Sequence, residues 1–135
     1  MGKNEKIKLG DLCTGIQHLG IPTNDLKKTK TFYQNFGFQA VYETYVEEKK
    51  QHVIFMNLKN LTLELYEDKT SMKNGAIDHV ALDCADIDQA YEIAVRNGYE
   101  ILSNHIKGLD FWENGIRFFT VIGPNHEKIE LCQKL

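Results

Sequence analysis

Apolar and polar positions run through the chain in a pattern that occurs twice. Residues 16–21, IQHLGI, read as a short strand, with Leu19 and Ile21 on one side and His18 and Gly20 on the other. Asp25 follows at an N-cap-like position. Leu26, Thr29, Phe32, Tyr33 and Phe36 then recur at helical spacing, and Gly37 reads as the helix stop. Three further strands are predicted at about 38–46, 51–57 and 61–67. Shifted by 61 residues, the chain repeats itself: Ile16/Ile77, His18/His79, Asp25/Asp86 and Gly37/Gly98 are identities, and Leu19/Val80, Ile21/Leu82, Leu26/Ile87 and Phe38/Tyr99 are conservative matches. The second helix therefore spans Asp86 to Gly98, with Ile87, Ala90, Tyr91 and Ala94 on its apolar side. Strands are predicted after it at about 99–103, 115–122 and 127–133, the last preceded by the turn Gly123-Pro124-Asn125-His126. Near the end the offset grows to 66, so that Leu63-Glu64-Leu65 falls on Ile129-Glu130-Leu131. The order is β-α-β-β-β, twice, an α+β fold. Module one is 16–67, a polar linker is 68–76, and module two is 77–133. Residues 104–114 form a longer loop holding Phe111 and Trp112. The first fifteen residues show no periodicity and are expected to be disordered.

Strand alternation places the chemistry. In 61–67 the leucines share one face, while Thr62, Glu64 and Tyr66 share the other; in 127–133 Ile129 and Leu131 oppose Lys128, Glu130 and Cys132. The apolar faces suit the amphipathic helices. The other faces carry His18, Glu64, His79 and Glu130, with the small residues Gly20 and Ala81 leaving room beside the histidines. If both sheets face a common cavity, two imidazoles and two carboxylates converge there. That set suits Zn²⁺, Ni²⁺, Co²⁺, Mn²⁺ or Fe²⁺, and Mg²⁺ or Ca²⁺ less well. Taken singly, each of these residues reads more simply as a surface or structural group; the repeat is what ties them together. His52, His105 and His126 have no repeat partner and read as surface or turn residues. Tyr66, Phe111, Trp112, Arg117 and Cys132 are candidate substrate contacts, although Phe111 and Trp112 more simply close the end of the fold, and Cys132 is more simply a small filler than a nucleophile.

Composition narrows the function classes. The chain has 135 residues and a formal charge of -3, too acidic for a general nucleic-acid footprint. No apolar run approaches the ~20 residues of a membrane span. The N-terminal MGKNEKIKLGDLC lacks an apolar signal core, and Lys6 breaks a myristoylation motif after Gly2. Three cysteines, Cys13, Cys84 and Cys132, form no CxxC and suit reduced thiols in a cytoplasmic protein.

At these residues the chain resembles the vicinal oxygen chelate superfamily, and within it the glyoxalase I-like branch. The resemblance covers about residues 16–133 and rests on IQHLGI, NDLKKTKTFYQNFGF, LTLELYE, IDHVALD and GPNHEKIEL. It implies a single glyoxalase-like domain over 1–135, whose two modules form curved sheets around a cavity with helices on the outer face. The family's four metal positions fall on His18, Glu64, His79 and Glu130. The resemblance also implies a homodimer, in which the site often sits at the subunit interface. The activity it implies is that of a lactoylglutathione lyase-like metalloenzyme, a lyase or isomerase. It would take a proton from a metal-chelated α-hydroxy-carbonyl or thiohemiacetal, with Glu130 as base and Glu64 as its counterpart; Ni²⁺, Zn²⁺, Co²⁺ or Mn²⁺ rank ahead of Fe²⁺.

The departures concern the thiol and the last turn. The Arg that usually follows the first His is absent from His18-Leu19-Gly20-Ile21-Pro22, and Asp68 stands where Asn is usual. Both remove groups that hold the tripeptide, so glutathione is not the expected thiol. In the turn, Gly123 and His126 stand where Asp and Gly are usual. Other readings are a thiol transferase, an epimerase, an extradiol dioxygenase, or a metal-free binding protein similar to bleomycin-resistance proteins. Glu64 weighs against the epimerase, whose branch usually has Gln there. The short chain weighs against the dioxygenase, and the quartet itself against the binding protein.

Overall fold

The computed structural model describes residues 8–135. Two βαβββ modules follow one another. The first comprises β1 (Leu19–Thr23), α1 (Leu26–Phe36), β2 (Gln39–Val46), β3 (Gln51–Leu58) and β4 (Leu61–Glu67). The second comprises β5 (His79–Asp83), α2 (Ile87–Arg96), β6 (Glu100–Ile101), β7 (Lys107–Leu109), β8 (Ile116–Ile122) and β9 (Lys128–Lys134). Each module makes its own sheet, in the orders β1-β4-β3-β2 and β5-β9-β8-β6, with β7 added to β8. The expected α+β architecture and strand order are present. The strand β7, inside the loop expected over 104–114, is an addition. The first strand begins at Leu19, so His18 precedes it. Of the N-terminal stretch expected to be disordered, and of the Gly2 motif, residues 1–7 lie outside the described residues; Leu9–Leu12 form one 3-10 turn.

Local chemistry explains both helices. The Asp25 and Asp86 side chains each accept an N-terminal amide, from Lys28 and Gln89 (both 3.0 Å), satisfying donors that a helix start leaves open. Gly37, at φ 123°, ends α1 in a conformation that side chains rarely adopt. The helices measure 11 and 10 residues, and among the described residues no helix is long and apolar enough to cross a membrane.

The apolar strand faces pack against the helices. Ile54, Met56, Leu63 and Leu65 of the first sheet join Phe119, Val121 and Ile129 of the second in one core with Tyr33, Ile87 and Ala94. Phe32 and Phe36 of α1 both pack on Tyr99 of module two (ring centroids 5.7 and 6.0 Å). A buried polar bridge crosses the same junction: Asn125 Nδ2 donates to Thr29 Oγ1 (3.0 Å), and Tyr33 OH donates to Glu127 Oε2 (2.8 Å).

The unusual turn explains itself here. Glu127 folds back over Gly123 and also accepts the Asn125 amide (2.7 Å). A Cβ on Gly123 would stand 2.8 Å from Glu127 Cγ and closer still to its carboxylate. The glutamate thus organises the turn from its far end, and His126 takes the left-handed conformation at φ 65°. Gly123→Ala is expected to displace Glu127 and orphan the hydroxyl of Tyr33, which is 2% exposed. Losing that buried partner costs about 1–3 kcal/mol, read as a lower urea midpoint. Adding Tyr33→Phe to the Gly123→Ala background should cost little more.

Candidate functional site

Each module places one imidazole beside one carboxylate. β1 runs parallel to β4 with Gly20 opposite Glu64, and β5 runs parallel to β9 with Ala81 opposite Glu130. Two residues before each small residue stands the histidine. Across the gap, His18 Nε2 lies 3.5 Å from Glu64 Oε1, and His79 Nε2 lies 3.6 Å from Glu130 Oε1. A Cβ on Gly20 would lie in ordinary contact with the Tyr66 ring (3.4 Å) and Glu64 Oε1 (3.7 Å), so the position takes a small residue, as Ala81 is in the second module.

Both separations are long for a hydrogen bond. An imidazole nitrogen and a carboxylate oxygen are donor types that divalent transition ions take, and each module offers one of each. The modules do not pool their donors within one chain. Among the described residues no three His, Cys, Asp or Glu side chains lie close enough to hold an ion together. The sequence left open whether the four donors meet within one chain or across a dimer interface; one chain holds them as two pairs. Both histidines border one cavity of about 670 Å³ between β1 and β5, together with Gly20, Ala81 and Lys128. Among the described residues, each of those strands lies at the end of its sheet, with no strand paired to its outer edge.

The residue before each histidine holds the far ring nitrogen. His18 Nδ1 meets the side-chain oxygen of Gln17, and His79 Nδ1 lies 3.0 Å from Asp78 Oδ2. Asp78 is further held by Asn74 Nδ2 (3.0 Å) and Lys128 Nζ (3.1 Å). His79, then Asn74 and Lys128, keep its carboxyl far below the usual carboxylate range. Sequence reasoning passed over Gln17 and Asp78. The signal was present, since the two are repeat partners, each carrying a side-chain acceptor next to a histidine.

The expected substrate contacts separate. Tyr66 shares the face of Glu64 and reaches over Gly20. Cys132 lies on the face of Glu130 but is buried, with its Sγ 3.6 Å from the Leu82 carbonyl. Burial, with Glu130 and Asp83 adding to it, pushes its thiol pKa up, which disfavours a nucleophilic thiolate. Phe111 and Trp112 are exposed, Trp112 beneath Lys134 Nζ (4.6 Å from the ring centre). Arg117 is a correction. It shares the face of Phe119 and Val121, and its guanidinium forks onto both Asp88 oxygens (2.8 and 2.9 Å). It is therefore tied to the start of α2, on the side of the sheet opposite Glu130.

Residues 15–131 match the profile of the Glyoxalase/Bleomycin resistance protein/Dioxygenase superfamily, and the chain belongs to that family. Among curated proteins it is 27% identical over 131 residues to "Uncharacterized protein YwkD" of Bacillus subtilis (strain 168), covering 91% of this chain and 99% of that one. Solved structures share the fold. A glyoxalase family protein from Enterococcus faecalis superposes with a TM-score of 0.74 at 21% identity, covering 88% of this chain and 97% of that one. The fosfomycin resistance protein FosX from Listeria monocytogenes, in complex with Mn(II) and sulfate, gives 0.71 at 18% identity, covering 92% and 95%. A glyoxalase I mutant from Zea mays gives 0.69 at 19% identity, covering 87% of this chain and 43% of that one.

Proposed function

We propose that this protein is a glyoxalase I-like metal-dependent lyase or isomerase, working as a homodimer on a small α-hydroxy-carbonyl or thiohemiacetal. The observation that carries this is the twofold His–Glu pair, His18 with Glu64 and His79 with Glu130, at nearly equal spacing. One pair offers too few ligands for a stable site, and two pairs offer four. A second copy can bring its second module against the first module of this one, along the open edges of β1 and β5. His18, Glu64, His79 and Glu130 would then hold a divalent ion, with Ni²⁺, Zn²⁺, Co²⁺ and Mn²⁺ ahead of Fe²⁺. Such an ion, when bound, supplies Lewis-acid polarisation of a chelated carbonyl.

The chain's own groups do the rest. The Glu130 carboxylate takes the proton from the carbon next to the carbonyl, and the C–H electron pair moves toward the carbonyl oxygen. The proton returns at the former carbonyl carbon while the hydroxyl proton passes to the neighbouring oxygen, so that the hydroxyl-bearing carbon becomes the new carbonyl and the isomerisation is complete. Glu64 is the pseudo-symmetric counterpart. Tyr66 and Cys132 flank the two carboxylates and limit the space for the substrate. Gly20 and Pro22 occupy the strand where an arginine would hold glutathione, so a different thiol adduct fits better. Lys128, the cation beside Glu130, is committed to Asp78, which gives a phosphonate substrate less support.

The test is metal analysis of protein purified without chelating resin. Alongside it, methylglyoxal turnover is screened with several low-molecular-weight thiols and Ni²⁺, Zn²⁺, Co²⁺ or Mn²⁺. About one ion per chain is expected, and His18→Ala should lose most of it. Occupancy below about a tenth, not restored by added metal, would favour a metal-free binding protein.

A further inference from the structure

The two half-sites are built alike but braced differently. His79 Nδ1 faces a carboxylate, and His18 Nδ1 faces an amide. An ionised carboxylate can only accept a hydrogen bond, so Asp78 calls for a proton on Nδ1 of His79, which makes Nε2, 3.6 Å from Glu130 Oε1, the ring nitrogen available to an ion. An amide can rotate to present either its oxygen or its NH₂, so Gln17 specifies the ring of His18 less strictly. Asp78 is not loose. Asn74 Nδ2 bonds Oδ1 at 3.0 Å, and Lys128 Nζ reaches Oδ1 at 3.1 Å and Oδ2 at 3.4 Å. Lys128 comes from the strand paired with β5 and stands directly opposite His79 in register. The linker, through Asn74, and β9, through Lys128, thus hold one carboxylate that in turn holds one imidazole.

From this geometry we infer that Asp78 is a positioning residue. It fixes His79 in the Nδ1–H tautomer and makes the second module the stronger metal-holding half, while Gln17 performs the weaker version of this task in the first. The inference rests on the metal site proposed above. Partners of this kind typically change metal affinity by about 10–100-fold when removed.

The experiment compares Asp78→Ala, the isosteric Asp78→Asn and Gln17→Ala in the full-length protein. The first readout is the Zn²⁺ or Co²⁺ dissociation constant, measured by competition with a chromophoric chelator. The second is the His79 tautomer in metal-free protein, from long-range ¹⁵N correlations. Asp78→Ala should weaken binding by about 10–100-fold, with Asp78→Asn between it and wild type and Gln17→Ala costing less. The His79 ring should change from Nδ1–H to a tautomer mixture in Asp78→Ala, a change that general loosening of the fold would not confine to one ring. An unchanged dissociation constant in Asp78→Ala, or a Gln17→Ala loss equal to or larger than it, overturns the inference. Should the alanine variant fail to fold, Asp78→Asn decides by the same two readouts. Wild-type protein that takes up no ion fails at an earlier step, and defeats the metal reading itself.

Discussion

Replacing Glu130 with Gln is expected to lower turnover by about 10²–10⁴-fold, the range that one well-placed general base contributes. The variant keeps the size of the side chain and one ligating oxygen, and it loses the group that can carry the proton. The fold should not notice. Glu130 sits on the strand face away from the core, opposite Ala81, where an amide fits as well as a carboxylate. Its urea midpoint should stay close to wild type, since surface-facing changes of this kind usually fall within about 0.5 kcal/mol. Steady-state kinetics at saturating metal, with metal content measured on the same sample, separate loss of the base from loss of the ion. Full activity in Glu130→Gln would exclude it as the base. Glu64→Gln is the matched control, and a larger loss there would exchange the roles of the two carboxylates.

The duplication was readable because it is local. Asp25 and Gly37, with Asp86 and Gly98, punctuate two helices, and Leu63-Glu64-Leu65 with Ile129-Glu130-Leu131 alternate at the period of a strand. A three-residue edge strand escapes such reading: Lys107–Leu109 is exposed along its whole length and has too few positions to alternate. Arg117 could have been placed correctly. It is two residues from Phe119, whose side chain must enter the core, so the same alternation puts it on the helix side. Convergence of the four donors was beyond the pattern. Periodicity tells which face a side chain takes, not which sheet comes to lie opposite. Here the apolar faces of both modules share one core, and the donors are left as two pairs.

Mixing two inactive variants should restore activity. One variant carries His18→Ala and Glu64→Ala and lacks the first half-site; the other carries His79→Ala and Glu130→Ala and lacks the second. Each alone forms dimers in which every site has two ligands missing. In a mixed dimer with sites built across the subunits, one site collects all four mutations and the other collects none. Random exchange makes half the dimers mixed, so about a quarter of wild-type activity and metal content should return under closed two-fold pairing. A site built within a single chain predicts a different outcome, because every site then keeps two mutations whatever its partner and nothing returns. The cross-subunit result is expected for three reasons. No three candidate ligands meet within the described residues of one chain. Each pair sets an imidazole nitrogen 3.5 or 3.6 Å from a carboxylate oxygen, the two donor types such an ion takes. Among the described residues, β1 and β5 both end their sheets, with no strand paired to the outer edge of either. Co-expression under two affinity tags, with the doubly tagged dimer isolated before assay, raises the expected recovery to about half, one intact site in two. An inactive, metal-free mixed dimer would place the site within one chain, and the two modules would then have to move together to form it.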